Sequence, residues 1–493
     1  MTHETETLRV FRVSSLAAFL CIALALCVVG LRGVQSQSVL RRITNTTEEG
    51  ISLNPTLSGD GRYVAFETTE DVAHAGGSDY FRAIRADVSP APPTCLQMGR
   101  TRAVAPAISQ DGSRIAFASR DNPLGTNQDG NSEIYLFDAG LLRPITNTSP
   151  DEITDRARNG NFQPSISDDG RFIAFSSNRD MVGLNPDGNF EIFIYDVLSQ
   201  AFTQITNAIG MVGSTDAKIS GNGLRVAFIR DGGATPSTQR DLLLHNRTGD
   251  TTQVIGNNVP GLAVTYGRAI SDDGTRIIFT AETAIPNSRQ VFLFDGRSLN
   301  LTRPVTFLGA LKTDVPLHPT ISGDGSRIAF ATRRKVANAT GGDNKDDSVE
   351  LYTFDIPTSE FARVTPEFTT SEQTKPATEV ISSLNDQGTI IAFNFPRVIS
   401  GQTLLPESAN NSEIYVTATP SRPAFGTLSV LNGASFGNEP SSTKAVAPNS
   451  IAVGVGGDLA KTTEQAQRQQ NGTFPTNVGG TTVRVNNRLA QIF

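Results

Sequence analysis

"PSISDDGRFIAFSSN", residues 164–178, sets the apolar run "FIAF" directly behind an Asp-Gly pair. Glycine accepts positive φ at no steric cost and aspartate tolerates turn geometry, so Asp169-Gly170 reads as a tight turn between two strands. The same phrase returns along the chain. It stands as "TLSGDGRYVAFET" at 56–68, "AISQDGSRIAFAS" at 107–119 and "KISGNGLRVAFIR" at 218–230. It stands again as "AISDDGTRIIFTA" at 269–281, "TISGDGSRIAFAT" at 320–332 and, more worn, "SLNDQGTIIAFNF" at 383–395. The turn glycines Gly61, Gly112, Gly170, Gly223, Gly274, Gly325 and Gly388 are separated by 51, 58, 53, 51, 51 and 63 residues. A period near fifty signals an array of similar units. A motif that every unit carries is expected to build the unit, since an active site is needed once.

Each unit reads as four strands. In residues 162–207, "QPSIS" leads into the Asp-Gly turn and "RFIAFSS" follows it. After the polar loop "NRDMVGLNPDGN", "FEIFIYDV" gives a third strand and "AFTQITN" a fourth. The third strand recurs as "SEIYLFDA", "RQVFLFDG", "VELYTFDI" and "SEIYVTAT", and the fourth as "RPITNT" and "TQVIGN". Four antiparallel strands repeated seven times fit a β-propeller, with a β solenoid as the alternative. The last unit ends near Ala418 without a fourth strand, while "VLRRITNT" at 39–46 supplies that phrase before the first unit. Pairing the two closes the ring and removes an exposed sheet edge.

The phrase P-x-I-S-x-D-G-x-x-I-A-F, at Pro106 to Phe117, Pro164 to Phe175 and Pro319 to Phe330, resembles the TolB-type repeat, a WD-like propeller repeat. The resemblance covers residues 39–418. It implies an all-β, seven-bladed propeller whose last blade is closed by an N-terminal strand. It further implies an exported protein- or glycan-binding platform of the cell envelope, or a propeller appended to an enzyme.

The flanks read differently. Arg9 and Arg12 precede an unbroken apolar run from Leu16 to Leu31, so residues 1–36 read as a secretory signal peptide or a signal anchor. The expected location is periplasmic or extracellular. Beyond a linker at 419–427, residues 428–493 resemble part of an Ig-like TIG-type module. The phrases are Asn432 to Phe436, Ala447 to Ile451 and Val478 to Val483. Only Cys95 remains outside the apolar run, so no internal disulfide is expected. A net charge of −7 argues against a nucleic-acid partner, for which a basic stripe is expected.

Candidate chemistry is sparse. Gly433-Ala434-Ser435-Phe436-Gly437 fits G-x-S-x-G, but an α/β-hydrolase triad needs a histidine after the serine. His3, His74, His245 and His318 all precede it. "NQDGNSE" (127–133) and "NPDGNFE" (185–191) cluster oxygen donors, making Asp129, Asn131, Asp187 and Asn189 candidate Ca²⁺ ligands. The competing and preferred reading is a turn that introduces the third strand. The pairs Asp60-Gly61, Asp111-Gly112, Asp169-Gly170, Asp273-Gly274 and Asp324-Gly325 read as structural turns. Asn222 and Gln387 replace the aspartate in two units, which a turn accepts and a catalytic carboxylate does not. Asp168 and Asp169 therefore both read as architecture. Arg62, Arg114, Arg171, Arg225, Arg276 and Arg327 are expected in solvent or against a neighbouring blade, and His318 near the propeller axis. No catalytic residue and no cofactor is expected. The expected role is non-catalytic binding, with a hydrolase or lyase using loops over the central channel as the alternative.

Overall fold

The protein is described by a computed structural model covering residues 40–421, apart from 47–49, 78–79, 150–159, 211, 232–238, 286, 298–300, 312–315, 346, 367–378 and 396–411. Five short strands between 429 and 490 are described by their backbone, pairing Ser429–Asn432 with Ala452–Val455 and linking Asn477–Val478, Thr481–Val485 and Arg488–Ala490. The signal segment, the G-x-S-x-G stretch and most of the TIG-like phrases lie outside the described residues. No helix among the described residues is long and apolar enough to cross a membrane.

Residues 40–419 form a seven-bladed β-propeller of antiparallel sheets. Blade 3 shows the plan. Asn161–Ile166 lies innermost, followed outward by Phe172–Ser177, Glu191–Asp196 and Ala201–Gln204. The second and third strands are apolar on both sides because each blade is covered by two neighbours. Their side chains merge between blades. One cluster joins Ala116, Ile134 and Leu136 of blade 2 to Ile173, Phe175 and Phe193 of blade 3. Another joins Ile414 and Val416 of blade 7 to Val64, Phe66 and Ile84 of blade 1.

Blade 7 is assembled from both ends of the propeller. Ser382–Leu384, Ile390–Phe395 and Glu413–Ala418 take Arg41–Arg42 as their outer strand, with Arg41 opposite Val416 and Arg42 opposite Tyr415. Glu413 is fully buried. Its carboxylate accepts Thr46 N at 2.9 Å and Thr46 Oγ1 at 2.8 Å, and it also receives Thr44 Oγ1. Blade 2 makes the same staple within a continuous chain, Thr148 N and Oγ1 donating to Glu133 Oε1 at 2.6 and 2.8 Å. The joint that closes the ring thus repeats the internal threonine staple and adds Arg42, which stands where blade 2 has Pro144 and donates to Glu413 Oε1 at 2.5 Å.

Blade 5 departs from the four-strand expectation. Its inner segment keeps only two isolated bridges, Ala263 to Thr280 and Ile270 to Ile277. Between them Gly267 turns in so far that a Cβ there would lie 3.5 Å from Ser382 O of blade 7 and 3.7 Å from Thr320 Oγ1 of blade 6. Tyr266 and Arg268 flank that inward step.

Candidate functional site at the two ends of the channel

Each inner strand runs from one end of the central channel to the Asp-Gly turn at the other. The turn aspartates are used locally. Asp169 Oδ1 accepts Ser167 Oγ at 2.5 Å and Arg171 N at 2.9 Å. Asp60, Asp111, Asp273 and Asp324 repeat this bonding, each accepting the preceding serine hydroxyl. Asn222 does the same with an amide oxygen. Of the arginines after the turns, Arg62 and Arg171 pair with Asp87 and Asp196 of their own blades, whereas Arg114, Arg225, Arg276 and Arg327 donate to a carbonyl of the next blade. Arg276 meets Asp295 of its own blade at 3.0 Å and donates to Gly325 O of the next at 2.8 Å. Arg327 reaches Gly388 O at 3.0 Å.

The residue one place before the turn aspartate behaves differently. In blades 1 to 7 this position holds Gly59, Gln110, Asp168, Gly221, Asp272, Gly323 and Asp386. Their carbonyl oxygens each accept one backbone N–H across a blade junction, from Asp386, Asp60, Gln110, Asp168, Asn222, Asp272 and Asp324 respectively, at 2.8–3.0 Å. A continuous ring of seven backbone hydrogen bonds therefore encircles the axis.

The three aspartates of this ring converge. Carboxylate oxygens of Asp168, Asp272 and Asp386 lie within 4.8 Å of one another. Each leans over the glycine of the following blade. A Cβ on Gly221 would fall 2.0 Å from Asp168 Oδ2, on Gly323 2.2 Å from Asp272 Oδ2, and on Gly59 2.3 Å from Asp386 Oδ2. Arg268 reaches down from blade 5 to bond all three, at 2.6 Å to Asp386, 3.2 Å to Asp272 and 3.8 Å to Asp168. One guanidinium cannot neutralise three carboxylates. Burial, opposed by Arg268 and reinforced by Asp168 and Asp386, pushes the Asp272 carboxyl up to about 7. Burial also raises Asp168. The adjacent pair of blade 3 thus divides, Asp169 serving the turn and Asp168 the axis.

The opposite end of the channel opens into a cavity of about 620 Å³. Phe162, Phe190, Val104 and Tyr266 contribute its apolar wall, and Gln163, Asp216, Arg102, Arg120 and Asp121 its polar one. The Phe162 and Phe190 rings are tilted against each other with centroids 5.9 Å apart. Below the mouth the channel narrows to a space of about 50 Å³ between Lys218, Tyr266, Gly267, Arg268 and Asp168. The inward step of blade 5 makes the mouth a blind funnel.

A recurring backbone conformation accompanies this funnel, and two of the residues that adopt it, Gln163 and Asp216, line the cavity. Asn54, Ala105, Gln163, Asp216 and His318 occupy one equivalent position in blades 1, 2, 3, 4 and 6, all with positive φ, between 35° and 57°. In blades 1 to 4 the position coincides with a register shift of the inner strand. Left-handed conformations of non-glycine residues cost about 1–3 kcal/mol each and gather at functional sites. Lys218, two residues below Asp216, is 2% exposed and donates to Tyr266 O at 3.0 Å. Burial lowers its amine to about 8. His318 stacks near Tyr266 with centroids 5.9 Å apart. Its Nε2 stands 3.3 Å from Glu379 Oε2 but is not aligned for a hydrogen bond. Burial depresses its titration, opposed by Glu379.

The loop residues singled out as Ca²⁺ candidates are placed elsewhere, on the connection between second and third strands. Asn131 donates to Thr148 O, and Asn189 donates to Ala208 O at 3.0 Å and Val212 O at 2.9 Å. Asp187 accepts Gly210 N at 2.8 Å, and Asp129 faces Asn131 N at 3.4 Å. Their amides staple these loops to the outer strand. Among the described residues, neither aspartate joins a group of three acidic, histidine or cysteine side chains able to hold a metal. Sequence reasoning passed over Asp272, Asp386, Arg268, Phe162, Phe190, Tyr266, Asp216 and Lys218. The available clues were the variable residue inside S-x-D-G and the polar residue ahead of the inner-strand proline.

No family model matches the chain, and no curated protein does. Among solved structures it is similar to TolB from Acinetobacter baumannii, at 19% identity over 63% of this chain and 68% of that one, with a TM-score of 0.40. It is similar to an oligogalacturonate lyase from Vibrio parahaemolyticus, at 12% identity over 78% and 95%, with a TM-score of 0.49. It is also similar to an acylaminoacyl peptidase from Pyrococcus horikoshii, at 12% identity over 72% and 51%, with a TM-score of 0.43. The likeness is one of propeller architecture.

Proposed function

We propose that the protein is an exported, non-catalytic binding platform of the cell envelope that receives a segment of a protein partner in the funnel. The observation that carries this reading is the blind cavity of about 620 Å³ inside a closed ring, walled by Phe162, Phe190, Val104 and Tyr266 with a few convergent polar groups. Rigid concave sites with apolar walls and sparse polar anchors are the usual form of a binding site. The wall favours peptide over glycan, because a sugar needs hydrogen-bond partners for its hydroxyls and the near residues spend theirs internally. Arg102 is held by Glu67 at 2.6 Å, and Asp121 accepts Arg102 N at 2.7 Å.

Selection of random peptides on the purified full chain tests this. Binders are expected to lose at least tenfold in affinity to Phe162→Ala and to leave a variant on the outer blade edge unaffected. Recovery of none, or binders indifferent to Phe162 and Phe190, would overturn it. A hydrolase or lyase is the second reading, favoured by Tyr266, His318 and Glu379 gathering at the same mouth. Turnover of a polysaccharide or peptide that His318→Ala abolishes would replace the first reading with this one.

A further inference from the structure

We infer that the protein is a membrane-tethered propeller, held in a bilayer by residues 13–31 with its Asp-Gly pole toward the lipid and its funnel mouth turned away. This goes beyond the binding reading and holds whatever the mouth receives.

The first observation is where the chain enters and leaves the ring. Third strands run from the mouth to the Asp-Gly pole, and outer strands run back. In blade 7, Arg41 opposite Val416 therefore begins the outer strand at the Asp-Gly pole. Its guanidinium is clamped there on Val88 O and Pro90 O, just past Asp87 at the end of blade 1's third strand. Val88 N in turn donates to Arg62 O, beside the Gly61 turn, at 2.9 Å. The exit lies at the same pole. Thr419 N donates to Thr389 O at 2.9 Å, and Thr419 Oγ1 to Gly388 O, of blade 7's own turn, at 2.7 Å. Pro420 O accepts Arg327 Nη1 at 3.1 Å. The chain before residue 40 and the chain after 421 thus both depart from the pole opposite the funnel.

The second observation is the length of the tether. Arg12 and Arg32 bracket nineteen residues without a charge. At 1.5 Å per helical residue that length matches the roughly 30 Å of a bilayer's hydrocarbon core. Arg9 and Arg12 ahead of it favour the cytoplasmic side for the N-terminus and so the opposite side for the propeller. Eight residues, 32–39, link this run to Leu40. Fully extended they reach about 30 Å. A blade built on six-residue strands is itself about 20 Å tall before its loops are added. Turning the mouth to the lipid would spend most of the tether on climbing the side of blade 7. No room would remain beneath for a bound partner. The propeller can lean but cannot invert, and its partner must approach from the side away from the membrane.

The test is energy transfer from single labels on the full chain, reconstituted in phosphatidylethanolamine–phosphatidylglycerol vesicles that carry a headgroup acceptor. The background is Cys21→Ser, Cys27→Ser and Cys95→Ser. Ser199→Cys labels the exposed turn between the third and fourth strands of blade 3, at the Asp-Gly pole. Leu184→Cys labels the 53% exposed residue in the mouth-side loop of the same blade. Transfer from position 199 is expected to exceed that from 184 at least twofold. Inserting about twenty Gly and Ser residues after Ser36 should shrink the ratio toward one, because a longer tether lets the propeller tumble. Equal transfer from the two positions, or more from 184, overturns the inference. So does a ratio that the insertion leaves unchanged, since the tether would then not set the pose. Expression with residues 1–36 in place provides the second readout. Recovery of the full-length chain in carbonate-washed membranes is expected, and release of a soluble chain beginning near Gln37 overturns the tether. Peptide binding is measured independently of all these outcomes, so their failure is distinguishable from failure of the platform.

Discussion

Removing Glu413 should open the ring at one place. Its buried carboxylate ties Thr44, Thr46 and Arg42 to the third strand of blade 7, beside Ile414 N, which donates to Thr44 Oγ1 at 2.9 Å. The outer strand there has just two ladder residues, supplemented by Ile43 N donating to Ile414 O at 2.8 Å. In Glu413→Ala, Thr46 N and two threonine hydroxyls lose their acceptor, and each orphaned buried donor costs about 1–3 kcal/mol. The hydroxyls can rotate toward other acceptors and Thr46 lies near the surface, so the sum falls toward about 3–5 kcal/mol, the range for breaking a buried ion pair from one side. Glu413→Gln should be far milder, about 1–2 kcal/mol, because blade 5 already uses a glutamine here. Gln290 Oε1 accepts Thr306 Oγ1 and Leu308 N, both at 2.8 Å. The control is Glu133→Ala, which removes the same staple where the chain is continuous. Chemical denaturation measures stability, and limited proteolysis with N-terminal sequencing of fragments locates the opening. Glu413→Ala should release the segment around Arg41 to protease before any other site, whereas Glu133→Ala should not. If the two variants gave the same cleavage pattern, or if Glu413→Ala cost under about 1 kcal/mol, the ring would not depend on this joint.

Three further outcomes follow from the axis. Asp272 holds its proton to about pH 7 when folded and to 3.8 when unfolded, so between those values the folded state carries the extra proton. Stability should therefore fall as pH rises from about 4 to 7, by at most ~1.4 kcal/mol per unit, and Asp272→Asn should flatten that slope and raise the melting temperature at pH 8. Gly323→Ala drives a methyl to 2.2 Å from Asp272 Oδ2 and 2.3 Å from Arg268 Nη1, and thermal melts should show a loss of about 1–3 kcal/mol. Gly309→Ala, where nothing lies within 4 Å, is the matched control and should change little. Arg268→Met leaves three carboxylates unneutralised, so it should destabilise by about 3–5 kcal/mol above pH 7 and recover in part at pH 5; equal loss at both values would contradict the charge argument.

The fold was legible because its determinants are local and repeated. An Asp-Gly turn, an apolar strand and the Glu and Thr phrases each keep their meaning wherever they stand, and "RRITNT" could be matched to blade 7 from its likeness to "RPITNT". Blade 5 was less legible. "AVTYGRAI" has the composition of a first strand, yet Gly267 lets the backbone step inward and costs the segment its ladder. The mouth was hidden for a related reason. Asp216 and Gln163 lie inside the inner strands, at a register shift where the backbone takes positive φ, a break in the ladder that the local sequence does not announce.

The axial cluster is the clearest case of information that sequence carries but does not display. Read locally, the second residue of S-x-D-G is a filler in a turn. Read around the ring, it follows Gly, Gln, Asp, Gly, Asp, Gly, Asp, and each aspartate lies over the glycine of the next blade. The alternation is required by space, since a Cβ at any of those glycines would fall within 2.3 Å of a carboxylate oxygen. Seven is odd, so the pattern must break once, and it breaks at Gln110, a neutral residue that adds no fourth carboxylate. The three charges that remain sit on blades 3, 5 and 7, and the single cation comes from Arg268, on the blade whose inner strand is distorted enough to deliver it. The irregular strand and the acidic ring therefore explain each other: neither would be tolerable alone, and a reading that takes each repeat separately cannot see either as a constraint.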